Sequence, residues 1–93
     1  MPIKTNPSSA FTSILTVPVI AGFDKKGHII PLLIKLENER YNIISYYLKK
    51  STRTTKEFSI DIVMNDIKMT MNLTYFIPEE IWGIPKERSL WLF

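Results

Sequence analysis

Strict alternation of apolar and polar side chains over residues 58–75 is the strongest pattern in the chain. The phase of this alternation changes across Asn65-Asp66. A two-residue turn explains the change, because pairing Met64 with Ile67 places both apolar rows on one face of a hairpin. Asn and Asp tolerate positive φ, so the pattern predicts a type I′ turn. The apolar positions are Phe58, Ile60, Ile62, Met64, Ile67, Met69, Met71, Leu73 and Tyr75.

A second hairpin is predicted in the first half of the chain. The segment Asp24–Gly27 (DKKG) fits a type I turn that ends in a left-handed glycine. Its strands are expected at about 16–23 and 28–36. Pro18 and Pro31 donate no ladder hydrogen bond, so we expect each at a bulge or facing a sheet edge.

The rest of the chain predicts shorter elements. A polar turn at 37–40 leads into a third strand at 41–48. Proline at the beginning and glycine at the end of residues 78–83 favour one short helical turn there. Residues 88–93 predict a final short strand, whereas residues 1–13, rich in Ser, Thr, Asn and Pro, predict a tail or surface arm.

These elements predict an all-β fold. Closing the sheet buries its apolar face and removes its edges. We therefore expect a small SH3-like barrel or a strongly bent antiparallel sheet of five to six strands, with one short helical turn near 78–83. An open sheet capped by that turn is the alternative. The predicted organisation is an N-terminal tail or arm at 1–13 and a single β domain at 14–93.

Composition excludes several kinds of site. The 93 residues include no cysteine and one histidine, His28. This excludes disulfides, thiolate zinc sites and iron–sulfur clusters, and it leaves no second imidazole for a histidine-based metal site. We expect no metal and no cofactor. Since no apolar run reaches the roughly 18 residues of a membrane span, we expect no membrane partner. The absence of cysteine is compatible with a reducing cytoplasm, which is the expected location, although a cysteine-free protein can also be secreted.

The net charge of +3 divides unevenly along the chain. Residues 1–56 carry nine basic and three acidic side chains, which gives +6, whereas residues 57–93 carry three basic and six acidic side chains, which gives −3. Such asymmetry indicates a basic surface in the first part of the chain.

The stretch 49–56 is the main candidate site, because its cations and hydroxyls suit contacts with phosphates. A second pair of lysines occupies the predicted hairpin tip at 25–26, and a tyrosine before the basic stretch can offer a face for base stacking. Only one of the two adjacent tyrosines can point inward on a strand. The alternative interpretation is a connecting loop kept soluble by its charge. The candidate nucleic-acid or polyanion-binding residues are Lys25, Lys26, Tyr46, Tyr47, Lys49, Lys50, Arg53 and Lys56.

A non-catalytic binding module is the predicted function. No nucleophile, base and orienting group can be assembled from one histidine and scattered carboxylates, so we expect no enzyme. The predicted partner is nucleic acid or an acidic protein, bound through the basic loops. The alternative is a protein-interaction or self-associating structural module, a homo-oligomer formed through a sheet edge and the C-terminal aromatics Trp91 and Phe93.

Residues 17–82 also resemble a set of small uncharacterised proteins from Gram-positive bacteria. The similarity lies in the pattern FDKKGHIIP at 23–31, a Tyr-x-Ile at 41–43, the strand EFSIDIV at 57–63 and Trp82. The resemblance implies a compact β-barrel and no established activity. This chain differs in its short basic linker at 49–56 and in a C-terminus that continues past Trp82 to Phe93.

Overall fold

The computed structural model describes residues 14–86, which form eight strands in two antiparallel sheets. The five-stranded sheet has the order β1-β8-β7-β6-β5, and the three-stranded sheet has the order β2-β3-β4. The all-β prediction is confirmed. The strands are β1 Ile14–Thr16, β2 Val19–Phe23, β3 Ile29–Leu36, β4 Glu39–Asn42, β5 Ser45–Ser51, β6 Thr55–Met64, β7 Ile67–Phe76 and β8 Ile81–Pro85.

The β6–β7 hairpin is the centre of the five-stranded sheet, and its prediction is confirmed. Met64 pairs with Ile67 and the register continues to Thr55 opposite Phe76. Asn65 and Asp66 both have positive φ, 52° and 64°, as a type I′ turn requires. The inward row of this hairpin contributes half of the buried core.

The β2–β3 hairpin also has the predicted turn, and Gly27 at its end has a φ of 84°. Near Pro31 the pairing shifts, because Ala21 lies opposite Pro31 whereas Ile20 lies opposite Leu33. Proline therefore occurs beside a bulge, as expected. The following turn is tighter than predicted, since only Glu37 and Asn38 form it and β4 already begins at Glu39.

The predicted strands at 16–23 and 41–48 are each divided between the two sheets. The predicted single closed sheet of five to six strands therefore does not form. Between β1 and β2, the N–H of Val17 donates to Trp82 in one sheet, whereas the carbonyl of Pro18 accepts from Lys35 in the other. Proline has no N–H with which to extend the first ladder, which explains the break at this point.

The second division lies between β4 and β5. The N–H of Ile43 donates to Leu32 of β3, and the N–H of Ile44 donates to Asp61 of β6. The predicted strand 41–48 therefore leaves the three-stranded sheet at Ile43 and joins the five-stranded sheet one residue later. The result is two sheets joined by bent segments rather than the predicted SH3-like barrel.

The predicted helical turn near 78–83 is wrong. Residues 77–80 form a turn in which the N–H of Glu80 donates to Phe76, and β8 begins at Ile81. Proline and acidic residues suit a turn as well as a helix start. The following apolar residues are buried because β8 lies between β1 and β7. The tail at 1–13 and the strand at 88–93 lie outside the described residues.

One hydrophobic core connects the two sheets. The five-stranded sheet supplies most of the buried side chains, and β3 supplies Ile34 and Leu36. A row of aromatic contacts crosses the core from Tyr46 through Phe58 and Trp82 to Tyr75, with ring centroids 6.2, 5.9 and 4.8 Å apart. Because Tyr46 lies on the edge strand β5, this row begins at the protein surface.

Candidate functional site

The basic stretch 49–56 is the tip of the β5–β6 hairpin rather than a long loop, and it is called the basic hairpin below. Lys49 and Lys50 lie on β5, Lys56 lies on β6, and Arg53 lies in the turn between them. The pairing shifts between Leu48 and Lys50, so that Lys49 is the extra residue of a bulge. The four cations therefore belong to one short two-stranded tip and its turn.

Hydroxyl groups hold this turn together. Thr52 Oγ1 accepts the backbone N–H groups of Thr54 at 3.2 Å and Thr55 at 3.0 Å. The N–H of Thr52 donates to the carbonyl of Thr55 at 2.8 Å. The threonines, which the sequence presents as phosphate ligands, are thus used first as the structural bonds of the turn.

Within residues 14–86, no ion pair compensates the charge of the cations in the basic hairpin. Lys49 Nζ donates to Asn72 Oδ1 at 2.9 Å, and Lys56 Nζ donates to Ser51 Oγ at 3.0 Å, both neutral acceptors. The Lys68–Asp61 ion pair of the five-stranded sheet involves none of these cations, and the contact of His28 with Asp24 is a hydrogen bond. The positive field of the basic hairpin is therefore available to an external anion.

The β2–β3 turn is organised by the carboxylate of Asp24. Its Oδ1 accepts the backbone N–H groups of Lys26 and His28, each at 2.9 Å, and its Oδ2 lies 3.1 Å from Nδ1 of His28. The backbone N–H of His28 is the main reason that the pKa of Asp24 lies below its usual value, and the imidazole of His28 adds to it. Lys25 and Lys26 are exposed at the tip.

A groove of about 240 Å³ lies between this turn and the basic hairpin. Its apolar lining consists of Ile29, Ile30, Tyr46, Leu48 and Phe58. The polar lining brings together both basic elements, since Asp24 and His28 come from the turn and Lys56 comes from the hairpin. This groove, called the β3–β5 groove below, is the candidate site.

The two adjacent tyrosines point to opposite faces of β5, as predicted. Tyr46 lies opposite Ile60 of the core row, lines the groove and contacts Phe58 at an interplanar angle of 68°, with 45% of its surface exposed. Tyr47 lies opposite Ser59 and is 66% exposed. Only Tyr46 belongs to the groove, so Tyr47 is separate from it.

Several groove residues escaped the sequence-based prediction. Leu48 and Phe58 have the pattern of ordinary strand residues, and they lie opposite each other directly before the bulge at Lys49. The link between Asp24 and His28 had a visible signal, because the two residues flank a turn that ends in glycine. Trp91 and Phe93, the predicted interface aromatics, lie outside the described residues.

A separate polar cluster on the five-stranded sheet surrounds Asp61. The hydroxyls of Thr70 and Ser45 both donate to its carboxylate, and Lys68 Nζ lies 3.8 Å away. The Thr70 bond, followed by the Ser45 bond, lowers the pKa of Asp61. With every carboxylate oxygen occupied, this cluster is a structural bridge between β5, β6 and β7.

Within residues 14–86, no group of three or more His, Asp and Glu side chains is arranged to hold a metal ion. The same part of the chain contains no helix long and apolar enough to cross a membrane. No family model, curated protein or solved structure matches the chain.

Proposed function

We propose that this protein is a non-catalytic binding module that holds nucleic acid or a similar polyanion through the basic hairpin and the β2–β3 turn. The observation that carries the proposal is that both basic elements border one groove, although they are far apart in sequence. Cations carried by two neighbouring elements of a small domain act together on an anionic chain. A cytoplasmic location is part of the same proposal, since nucleic acids are found there.

The state of the cations supports the proposal. The six candidate lysine and arginine side chains form no ion pair within the described part of the chain. An anion that binds them replaces solvent and counterions rather than an internal carboxylate. The hydrogen bonds of Lys49 and Lys56 to neutral partners restrict these side chains and leave the charges in place.

Salt dependence is the direct test. If all six cations contact phosphates of a single strand, the slope of log K against log salt is about −4, since each contact contributes about −0.7. We expect the affinity for a fluorescent 20-nucleotide strand to fall by more than about 10²-fold between 50 and 200 mM salt. Anisotropy titrations measure this. Absence of binding at low salt contradicts the proposal.

A matched pair of variants localises the binding. The double variant Lys50→Gln/Arg53→Gln removes two charges from the basic hairpin and is expected to reduce both affinity and the salt slope. The control Lys35→Gln/Arg40→Gln removes two charges from a cross-strand pair of the three-stranded sheet. Equal losses in the two variants indicate non-specific attraction and contradict the assigned surface.

A second function is favoured by one observation. β5 is the edge strand of the five-stranded sheet, and all seven of its residues are exposed. Such an edge can pair with a strand from another molecule. In this alternative the module self-associates, with Trp91 and Phe93 contributing. Light scattering on the chain and on Trp91→Ala/Phe93→Ala tests it, and a monomer in both samples argues against self-association.

A further inference from the structure

We infer that the β3–β5 groove receives one unstacked base of a single-stranded nucleic acid, with Tyr46 as the stacking surface. This inference rests on the proposed function and specifies its ligand. It assigns the lysines to the phosphate chain and the apolar groove to a base. Duplex nucleic acid is then a poor ligand, because its bases are paired and stacked.

The size and lining of the groove support a single flat group. Its 240 Å³ lies below the roughly 300–1,000 Å³ of pockets that enclose drug-sized ligands. Ile29, Leu48 and Phe58 supply apolar walls. Phe58 packs on one side of Tyr46, which fixes the ring while 45% of its surface remains exposed. A fixed, half-exposed ring loses little side-chain entropy when a base stacks on it.

Charge decides which part of the ligand enters the groove. Asp24 is ionised at neutral pH, and its carboxylate lies in the lining. Lys56 of the same lining balances this charge, so the groove offers a phosphate no net attraction, whereas it admits a neutral base without repulsion. Cations for the phosphates lie in the two elements that border the groove, because Lys25 and Lys26 belong to the turn of Asp24 and His28, and Arg53 belongs to the hairpin of Lys56. This alternation of cations and an aromatic side chain is typical of single-strand binding.

The polar lining also favours a base with hydrogen-bond donors. Nδ1 of His28 lies 3.1 Å from Asp24 Oδ2, and a carboxylate can only accept, so Nδ1 carries the proton. In the neutral ring, Nε2 is then an acceptor. The N–H and amino groups on the edges of bases are suitable donors, whereas phosphate oxygens are not.

The experiment measures the affinity of the full chain for four probes at low salt. They are a 12-nucleotide thymidine strand, an abasic chain of the same length, a 12-base-pair duplex and heparin. We expect the thymidine strand to bind about 5- to 150-fold more tightly than the abasic chain, the range for one stacked base. We expect the duplex to bind no better than the abasic chain.

Variants of the two tyrosines test the role of the groove. Tyr46→Ala is expected to remove the difference between the thymidine and abasic probes, and Tyr46→Phe is expected to keep it. Tyr47→Ala is the matched control on the opposite face of β5, and it should bind all probes as the parent does. The comparison of probes on the parent protein needs no variant, so a folding defect in Tyr46→Ala does not prevent the test.

The outcomes separate the two proposals. Equal, salt-sensitive binding of the thymidine and abasic probes overturns base capture and leaves polyanion binding intact. Equal affinity for duplex and single strand also overturns base capture. If no probe binds, heparin included, the proposed function fails as well. A Glu–Tyr copolymer is added as a fifth probe, and if it binds the parent while the thymidine strand does not, the inference is overturned in favour of an acidic protein partner.

Discussion

Truncation of Phe58 is the most direct test of how the core supports the candidate site. The ring is 2% exposed and lies between Tyr46 and Trp82, with centroid distances of 6.2 and 5.9 Å. Phe58→Ala removes these contacts and leaves a cavity on the inner face of β6, between Tyr46 and Trp82. Such substitutions cost about 3–5 kcal/mol of unfolding free energy. A domain of this length has about 5–14 kcal/mol in total.

Urea denaturation followed by circular dichroism measures the effect. With a dependence on urea of about 1.5 kcal/mol per molar, a loss of about 4 kcal/mol lowers the midpoint by about 2.7 M. Phe58→Leu keeps most of the volume, and we expect a loss of less than about 1.5 kcal/mol. The comparison separates the cavity from the loss of the aromatic contacts.

Val63→Ala is the control on the same strand. Val63 points to the outer face and is 47% exposed, so its truncation should cost no more than about 1 kcal/mol. The reasoning is refuted if Phe58→Ala and Val63→Ala cost the same. It is also refuted if Phe58→Ala loses less than about 1 kcal/mol, because the ring is then not part of a close-packed core.

Two further predictions concern a turn and a carboxylate. Gly27→Ala should lower the unfolding free energy by about 1 kcal/mol, because its φ of 84° is unfavourable for a residue with a Cβ although the space around it is open. Gly22→Ala is the control, since the added Cβ there makes an ordinary 3.5 Å contact. An equal loss of unfolding free energy in both variants contradicts this explanation. The pKa of Asp61 is lowered from 3.8 by the hydroxyls of Thr70 and Ser45, so its contribution to stability is complete well above pH 3.8 and is lost as the pH falls through its lower folded-state pKa. Urea midpoints between pH 6 and pH 2 should therefore fall less steeply in Asp61→Asn than in the parent, and parallel curves contradict the assignment.

Local features of the fold could be predicted because neighbouring residues determine them. The β6–β7 register follows from alternation and from a two-residue turn, and a slip by one position exposes the whole apolar row. The turn at Asp24–Gly27 follows from the glycine. The end of a strand is harder to predict from the sequence where it depends on a partner that is distant along the chain. Ile43 and Ile44 look like continuous strand, and only the positions of Leu32 and Asp61 determine that the chain changes sheets there.

The candidate site could be predicted only in part for the same reason. The lysines and the inward or outward choice for Tyr46 and Tyr47 follow from composition and strand alternation. The groove cannot be predicted in this way, because Ile29 and Phe58 come together only after the two sheets have packed. Polar composition predicts a loop for Lys49, Lys50 and Lys56, yet an exposed edge strand and its partner tolerate the same residues.

The pairing of β1 with β8 has a consequence for the order of events during synthesis. Ile14 lies opposite Pro85, so the first described strand completes its ladder with the last one. The β2–β3 and β6–β7 hairpins have local partners and can form while the chain is still being elongated. β1 must wait until β8 leaves the ribosome. Until then one edge of β7 is unpaired, and this interval is when the nascent chain is most exposed to wrong strand pairing.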